Sequence, residues 1–159
     1  MGNPSTAEHA ALQDMMDDAR RAGLSPLICS SYRTRAKQEE LHKNQVQKFL
    51  SEGYSQSMAE QKASQWVAPP GTSEHELGLA VDIVATDHQL LDETQEHTPE
   101  QKWLMENCWK YGFILRYPTS KSSITGIGYE PWHYRYVGKD AAKQIMEQGI
   151  CLEEYLNQV

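Results

Sequence analysis

"SEHELGLAVD", residues 73–82, places a serine, a histidine and acidic residues within ten positions. His75-Glu76 begins like the helical zinc motif H-E-x-x-H, but Leu79 stands where the second histidine belongs, so that motif fails. Gly78 followed by the apolar run Leu79-Ala80-Val81 reads as a turn entering a strand rather than as a helix. His75 and Asp82 are an odd number of positions apart, which on one straight strand would put them on opposite faces. Both can serve one site only if the chain bends between them, and Gly78 is the position expected to bend.

Outward from this stretch the pattern alternates between helix and strand. A capping box at Ser5-x-x-Glu8 opens a helix with Leu12, Met15, Met16 and Ala19 on its apolar stripe, ending at Gly23. "PLICSSY", 26–32, reads as a short buried strand. Thr34 caps a helix carrying Leu41, Val46, Phe49 and Leu50 that stops at Gly53, and Ser57-x-x-Glu60 is read as a second capping box. Pro69-Pro70-Gly71 breaks the chain, and Ala80–Ala85 follows as a strand. Thr98-Pro99 starts a helix through Trp103, Leu104 and Cys108 to Gly112. "FILRY", 113–117, and "WHYRYV", 132–137, read as strands. A helical region then runs from Asp140 to the C-terminus with a break near Gly149. This order predicts an α+β fold: a small, mainly antiparallel sheet surrounded by helices, in one domain spanning 1–159.

With 159 residues, 39% of them apolar, the chain can form a real core. A net charge of -7 speaks against a nucleic-acid binder, since such domains carry basic patches to meet phosphates. No apolar run approaches the roughly 18 residues of a membrane span, so no membrane contact is expected within this chain. The polar start Met1-Gly2-Asn3-Pro4-Ser5 carries no signal peptide. The chain is therefore expected to be intracellular or to have lost a targeting segment, and the abrupt start before a helix favours the second. Cys29, Cys108 and Cys151 form no C-x-x-C pair and are expected to be buried thiols; one disulfide with one free thiol is the alternative.

The chemistry gathers in two places. "YEPWHYRYVG", 129–138, offers Glu130 and His133 on either side of Pro131-Trp132. His75, Asp82 and His133 make two imidazoles and one carboxylate, the donor set of a catalytic Zn²⁺ with a position left for water. Glu130 is close enough in sequence to His133 to act on that water as a base. A Ser73-His75-Asp82 nucleophile triad is the competing reading, but no G-x-S-x-G elbow presents Ser73 and the Glu130–His133 pair would have no task. A nucleophilic Cys29 is weaker still. His9, His42, His88 and His97 have no such context and read as surface groups.

These residues resemble a known family. "SEHELGLAVD" matches S-x-H-x-x-G-x-A-x-D, "EPWH" matches E-x-W-H, and "SSYRTRAKQEELH", 30–42, is similar to a third block of the zinc D-alanyl-D-alanine carboxypeptidases and dipeptidases. These are the VanY-type and VanX-type enzymes linked to vancomycin resistance. "YGFILRYP" and "GICLEEYLN" also look VanY-type. The resemblance implies one Zn²⁺ per chain on His75, Asp82 and His133, Glu130 as catalytic base, and Arg33 stabilising the substrate carbonyl as it gains charge. It implies substrate contacts from Ser73 and Gln38. Arg116 is read as a partner for a substrate carboxylate or as a structural ion pair, and Trp132 and Tyr134 as packing around the metal. The expected partner is a peptidoglycan precursor peptide ending in D-Ala-D-Ala, met on the extracytoplasmic, cell-wall face by a membrane-anchored protein. Residues 43–72 are expected to wall or cover the cleft. A D,D-dipeptidase, a bifunctional enzyme, an L,D-carboxypeptidase, a non-catalytic zinc module, a serine or cysteine hydrolase and a cytoplasmic location remain as alternatives.

Overall fold

A computed structural model describes residues 6–159; the Ser5 end of the first capping box lies outside them. Four strands form one antiparallel sheet: β1 (Pro26–Ser30), β2 (Ala80–Ala85), β3 (Phe113–Leu115) and β4 (His133–Tyr136), in the order β1-β2-β4-β3. The helices are α1 (Thr6–Arg21), α2 (Arg35–Ser51), α3 (Gln56–Ser64), α4 (Pro99–Asn107), α5 (Ser122–Thr125), α6 (Lys139–Gln148) and α7 (Leu152–Leu156).

The pleat divides the sheet's two tasks. On β2 and β4 alternate side chains point to opposite faces. Val81, Ile83 and Tyr134 face one side, where they pack with Phe113, Leu104, Cys108 and the Met15–Met16 pair of α1 into the main core. Asp82 and His133 are direct partners across the β2–β4 ladder, so the register itself sets them side by side on the other face. A bulge between Ile28 and Ser30 brings the end of β1 opposite Asp82 as well. Tyr134 thus belongs to the main core, where its hydroxyl donates to Gln101 Oε1, and it does not pack around the metal residues as expected.

Caps explain most boundaries. The Thr34 hydroxyl accepts from Lys37 N at the start of α2, and Thr98 accepts from Gln101 N at the start of α4, with Pro99 at its first position. The cap of α3 is Ser55, not Ser57: its hydroxyl accepts from Met58 N, two residues earlier than the S-x-x-E pattern suggested. The predicted helix to Gly112 ends at Asn107 and tightens into a 3-10 turn over Cys108–Tyr111. Two further short pieces, a 3-10 turn at Glu93–His97 and α5, had no apolar periodicity to announce them. Cys108 and Cys151 are buried as expected, but Cys29 is exposed, and all three are free thiols.

Candidate active site

The stretch that opened the sequence reading folds as the turn it resembled. Glu74–Leu77 is a 3-10 turn, capped at its start by the Ser73 hydroxyl, which accepts from His75 N, and at its end by Gly78. Gly78 sits at φ 70, ψ 23, the left-handed conformation that costs other residues most. This bend turns His75 back over β2 toward Asp82. Two reciprocal bonds fix it there: Arg33 N donates to His75 O at 2.9 Å, and His75 Nδ1 lies 2.7 Å from Ser31 O. With Nδ1 donating to a backbone carbonyl, His75 Nε2 carries the free lone pair, 3.3 Å from Asp82 Oδ1.

His133 arrives from β4 with its Nδ1 3.6 Å from the same Asp82 oxygen and 3.4 Å from Glu130 Oε1. One ligand atom from each of His75, Asp82 and His133 lies within 4.8 Å of the others, and all three residues are buried. Asp82 Oδ2 accepts from Arg33 Nη2 at 3.0 Å, whereas Oδ1 is buried with no hydrogen-bond partner. A buried carboxylate oxygen facing two imidazole nitrogens and bonded to neither is costly unless a cation completes it. By donor type, burial and open centre, this set fits a zinc ion.

The charges follow the same logic. Burial pushes the Asp82 carboxyl up, but His75, His133 and Arg33 outweigh it and hold the pKa below the ordinary carboxylate range. Glu130 goes the other way: burial raises it, Asp82 adds to the rise, and His133 only partly offsets them. Two buried carboxylates with opposed shifts thus share one cleft.

These groups line a cleft of about 120 Å³ together with Arg33, Gln38, Ser73, Tyr117, Trp66 and Trp132. Trp66, Val67 and Ala68, after α3, supply one wall, in line with the role expected for the 43–72 segment. Glu130, Trp66 and Trp132 also border a second, open groove of about 600 Å³ that runs past Phe49 and Lys48 on α2 to Asp92 and Glu93.

Such a cleft on such a sheet can be set beside known proteins. A family model described as "VanY: D-alanyl-D-alanine carboxypeptidase" matches residues 5–139. The chain belongs to the VanY family. A D-alanyl-D-alanine carboxypeptidase of Enterococcus faecalis is 50% identical over 147 residues, which is 92% of this chain and 53% of that protein. The chain therefore spans about half the length of this curated relative. Among solved structures, VanYB in complex with D-Alanine-D-Alanine superposes with a TM-score of 0.89 at 47% identity, covering 98% of this chain and 83% of that one. A vancomycin-resistance D,D-pentapeptidase VanY variant in complex with Zn(II) gives 0.88 at 47% identity, over 98% and 85%.

Within this VanY-family cleft most residues singled out from sequence stand together, with three differences of detail. Gln38 is fully buried and spends both ends of its amide: Oε1 accepts from Arg33 Nη1 at 3.2 Å and Nε2 donates to Ala68 O at 2.7 Å. It reaches the cleft mainly by aiming Arg33. Arg116 does not line the cleft; its guanidinium is committed to Glu74 and Glu153 and stacks on Tyr117, which is the structural ion pair of the two readings. Ser73 borders the cleft as the turn's cap and does not bond the His75 ring, so no serine triad forms. Cys29 is exposed as a residue, but its Sγ tucks in to donate to Asp82 O at 3.5 Å, and this partial loss of solvation beside the Asp82 charge pushes the thiol up to about 11, which makes it a poor nucleophile. His9 and His97 are exposed, while His42 and His88 bond Ser64 and Thr94. Glu74 was missed: it is a buried acid inside the quoted motif, where an acid on a short turn reads as solvated.

Proposed function

We propose that residues 1–159 are one catalytic domain, a zinc-dependent D,D-carboxypeptidase. It would remove the C-terminal D-Ala from peptidoglycan precursor peptides ending in D-Ala-D-Ala. The observation that carries this reading is the buried, unbonded Asp82 Oδ1 held between His75 and His133, with Glu130 beside them.

His75 Nε2, Asp82 Oδ1 and His133 Nδ1 would hold one zinc ion per chain. When bound, zinc lowers the pKa of water toward ~7 and polarises a carbonyl. Glu130, with its raised pKa, takes the proton of the attacking water and returns it to the leaving amine. Arg33 is set for the carbonyl oxygen as it gains charge. Ser30, Gln38 and Asp82 hold three of its five N–H groups, which leaves two for substrate and fixes the fork's plane. No covalent enzyme intermediate is needed, so β-lactams, which acylate serine, have no nucleophile to capture.

The open groove beyond Glu130 supports a peptide longer than a dipeptide, because a dipeptidase would close that side around a free ammonium. Its aromatic walls and charged ends can bind the stem remote from the scissile bond, where binding energy lowers the barrier. The stem peptide is met outside the membrane, so the reading includes an extracytoplasmic, cell-wall-facing site and a membrane anchor in the whole protein. Within the described residues no helix is long and apolar enough to cross a membrane.

A substrate panel with and without chelator tests the proposal: D-Ala-D-Ala, a pentapeptide ending in D-Ala-D-Ala, and a tetrapeptide ending in one D-Ala. The pentapeptide should be cleaved with at least about tenfold higher kcat/KM than the dipeptide, or about 1.4 kcal/mol. Chelator should abolish turnover. Preference for the dipeptide would make the chain a dipeptidase, equal rates a bifunctional enzyme, and preference for the tetrapeptide an L,D-carboxypeptidase. Full activity in chelator, with no metal in the protein, would end the zinc reading.

A further inference from the structure

Of two VanY-like stretches, "YGFILRYP" and "GICLEEYLN", Tyr117 alone lines the cleft, yet both lead to the ligand set through one further side chain. Glu153 of α7 grips the Arg116 guanidinium with both carboxylate oxygens. Arg116 Nε donates to Glu74 Oε1 at 2.5 Å, and Arg135 Nη1 donates to the same oxygen at 2.7 Å. The other oxygen, Glu74 Oε2, lies 3.3 Å from His133 Nε2. Glu74 is buried and next in sequence to His75 on the 3-10 turn.

We propose that Glu74 is a positioning residue for metal binding, fixing the tautomer and ring plane of His133 so that its Nδ1 lone pair points at Asp82 and Glu130. This rests on the zinc reading above. The physical reason is a division of labour between the two carboxylate oxygens. Oε1 is saturated by two guanidinium N–H groups, which leaves Oε2 to accept a hydrogen bond from His133 Nε2–H. A neutral imidazole that donates from Nε2 must carry its lone pair on Nδ1, the nitrogen facing the ligand set. A carboxylate on the far nitrogen also makes the ring a more basic ligand. His75 achieves the same end with the Ser31 carbonyl, so the two imidazoles bind through opposite nitrogens, each steered by its own acceptor.

Glutamine cannot replace Glu74 in this role. It has a single acceptor oxygen, which the two arginines would claim. Its amide N–H would then face His133 Nε2, favouring the tautomer that points a proton into the ligand set.

The test is zinc affinity, measured by competition with a chelator of known strength, for the wild type and Glu74→Gln, with thermal unfolding of both metal-free chains as the folding control. The variant should unfold cooperatively and bind zinc roughly 10–100-fold more weakly, the range for lost support behind a ligating histidine. Equal affinities would overturn the proposal while leaving the zinc reading intact; a wild type that binds no zinc would remove the zinc reading itself and the proposal with it. A second measurement needs no variant to fold: in long-range ¹H–¹⁵N spectra of zinc-loaded wild type the His133 Nε2 proton should be shifted well downfield by its bond to the Glu74 carboxylate. An Nε2 proton at the ordinary shift of an unbonded imidazole N–H would overturn the proposal, since zinc on Nδ1 sets the tautomer by itself and a merely structural Glu74–Arg116 pair adds no carboxylate bond to that proton.

Discussion

Gly78 holds the bend that lets His75 and Asp82 share a site, and its conformation sets the size of the response to substitution. At φ 70, ψ 23 a Cβ meets the following carbonyl oxygen, at a cost of about 1–2 kcal/mol for alanine. Asparagine tolerates this region better, and a β-branched residue is a true outlier there. Gly78→Asn, Gly78→Ala and Gly78→Val therefore form a graded series of rising strain. The strain can appear in two places. If the metal-free chain keeps the bend, the whole cost falls on stability. At about 2–4 °C per kcal/mol for a chain of this size, Tm of the alanine variant drops by about 2–8 °C while zinc affinity holds. If the turn over Glu74–Leu77 relaxes instead, Tm is spared, but the bend must be rebuilt when metal binds. Affinity then weakens by up to about 5–30-fold, the same free energy. The two losses, in kcal/mol, should sum to about 1–2 for alanine, less for asparagine and more for valine. Thermal unfolding of the metal-free chains and chelator competition measure both. A valine variant unchanged in Tm and in zinc affinity, or an asparagine variant as damaged as valine, would refute the reasoning.

Other expectations follow from the same geometry. Glu130→Gln should retain zinc but lose roughly 10²-fold or more in kcat, because it removes the base and keeps the shape; near-normal turnover would reassign the proton transfer. Arg33→Lys should not rescue function, since one ammonium cannot replace a fork already bonded to Ser30, Gln38 and Asp82; a loss in kcat marks the oxyanion role, whereas a rise in KM alone would make Arg33 a carboxylate anchor. Gly128→Ala would place a Cβ 2.5 Å from the Trp66 ring; moving that ring costs about 1–3 kcal/mol and should raise KM for the pentapeptide, and unchanged stability and kinetics would show that Trp66 yields freely. Burial pushes the Glu153 carboxyl up, but Arg116 outweighs it and holds the pKa below the ordinary value. That pair's stabilisation is present above the unfolded-state pKa and fades as pH falls through the folded one, so Glu153→Gln should flatten the acid side of a plot of Tm against pH.

The sequence by itself determined the local structure around the site. Gly78 between His75 and an apolar run specified a bend into a strand, Thr34 and Thr98 marked helix starts, and residues 80–85 read correctly as β2. These features are legible because caps, glycine conformation and strand runs act over a few residues. The candidate ligand set was also legible, since its residue types and the blocks that carry them stand in the sequence order. Where the cap was ambiguous, Ser55 against Ser57, local pattern alone chose wrongly. What only the tertiary structure decided is which partners the long polar side chains take. The β2–β4 register puts Asp82 against His133 and sends Tyr134 to the core. Packing of α7 against the sheet supplies Glu153 to Arg116, so Arg116 faces Glu74 rather than the cleft. Gln38, fully buried, holds Arg33 five residues away and finds Ala68 thirty residues away. Such side chains are read as solvated unless something buries them, and what buries them are residues distant in sequence, brought close only when the sheet closes and the helices dock on it.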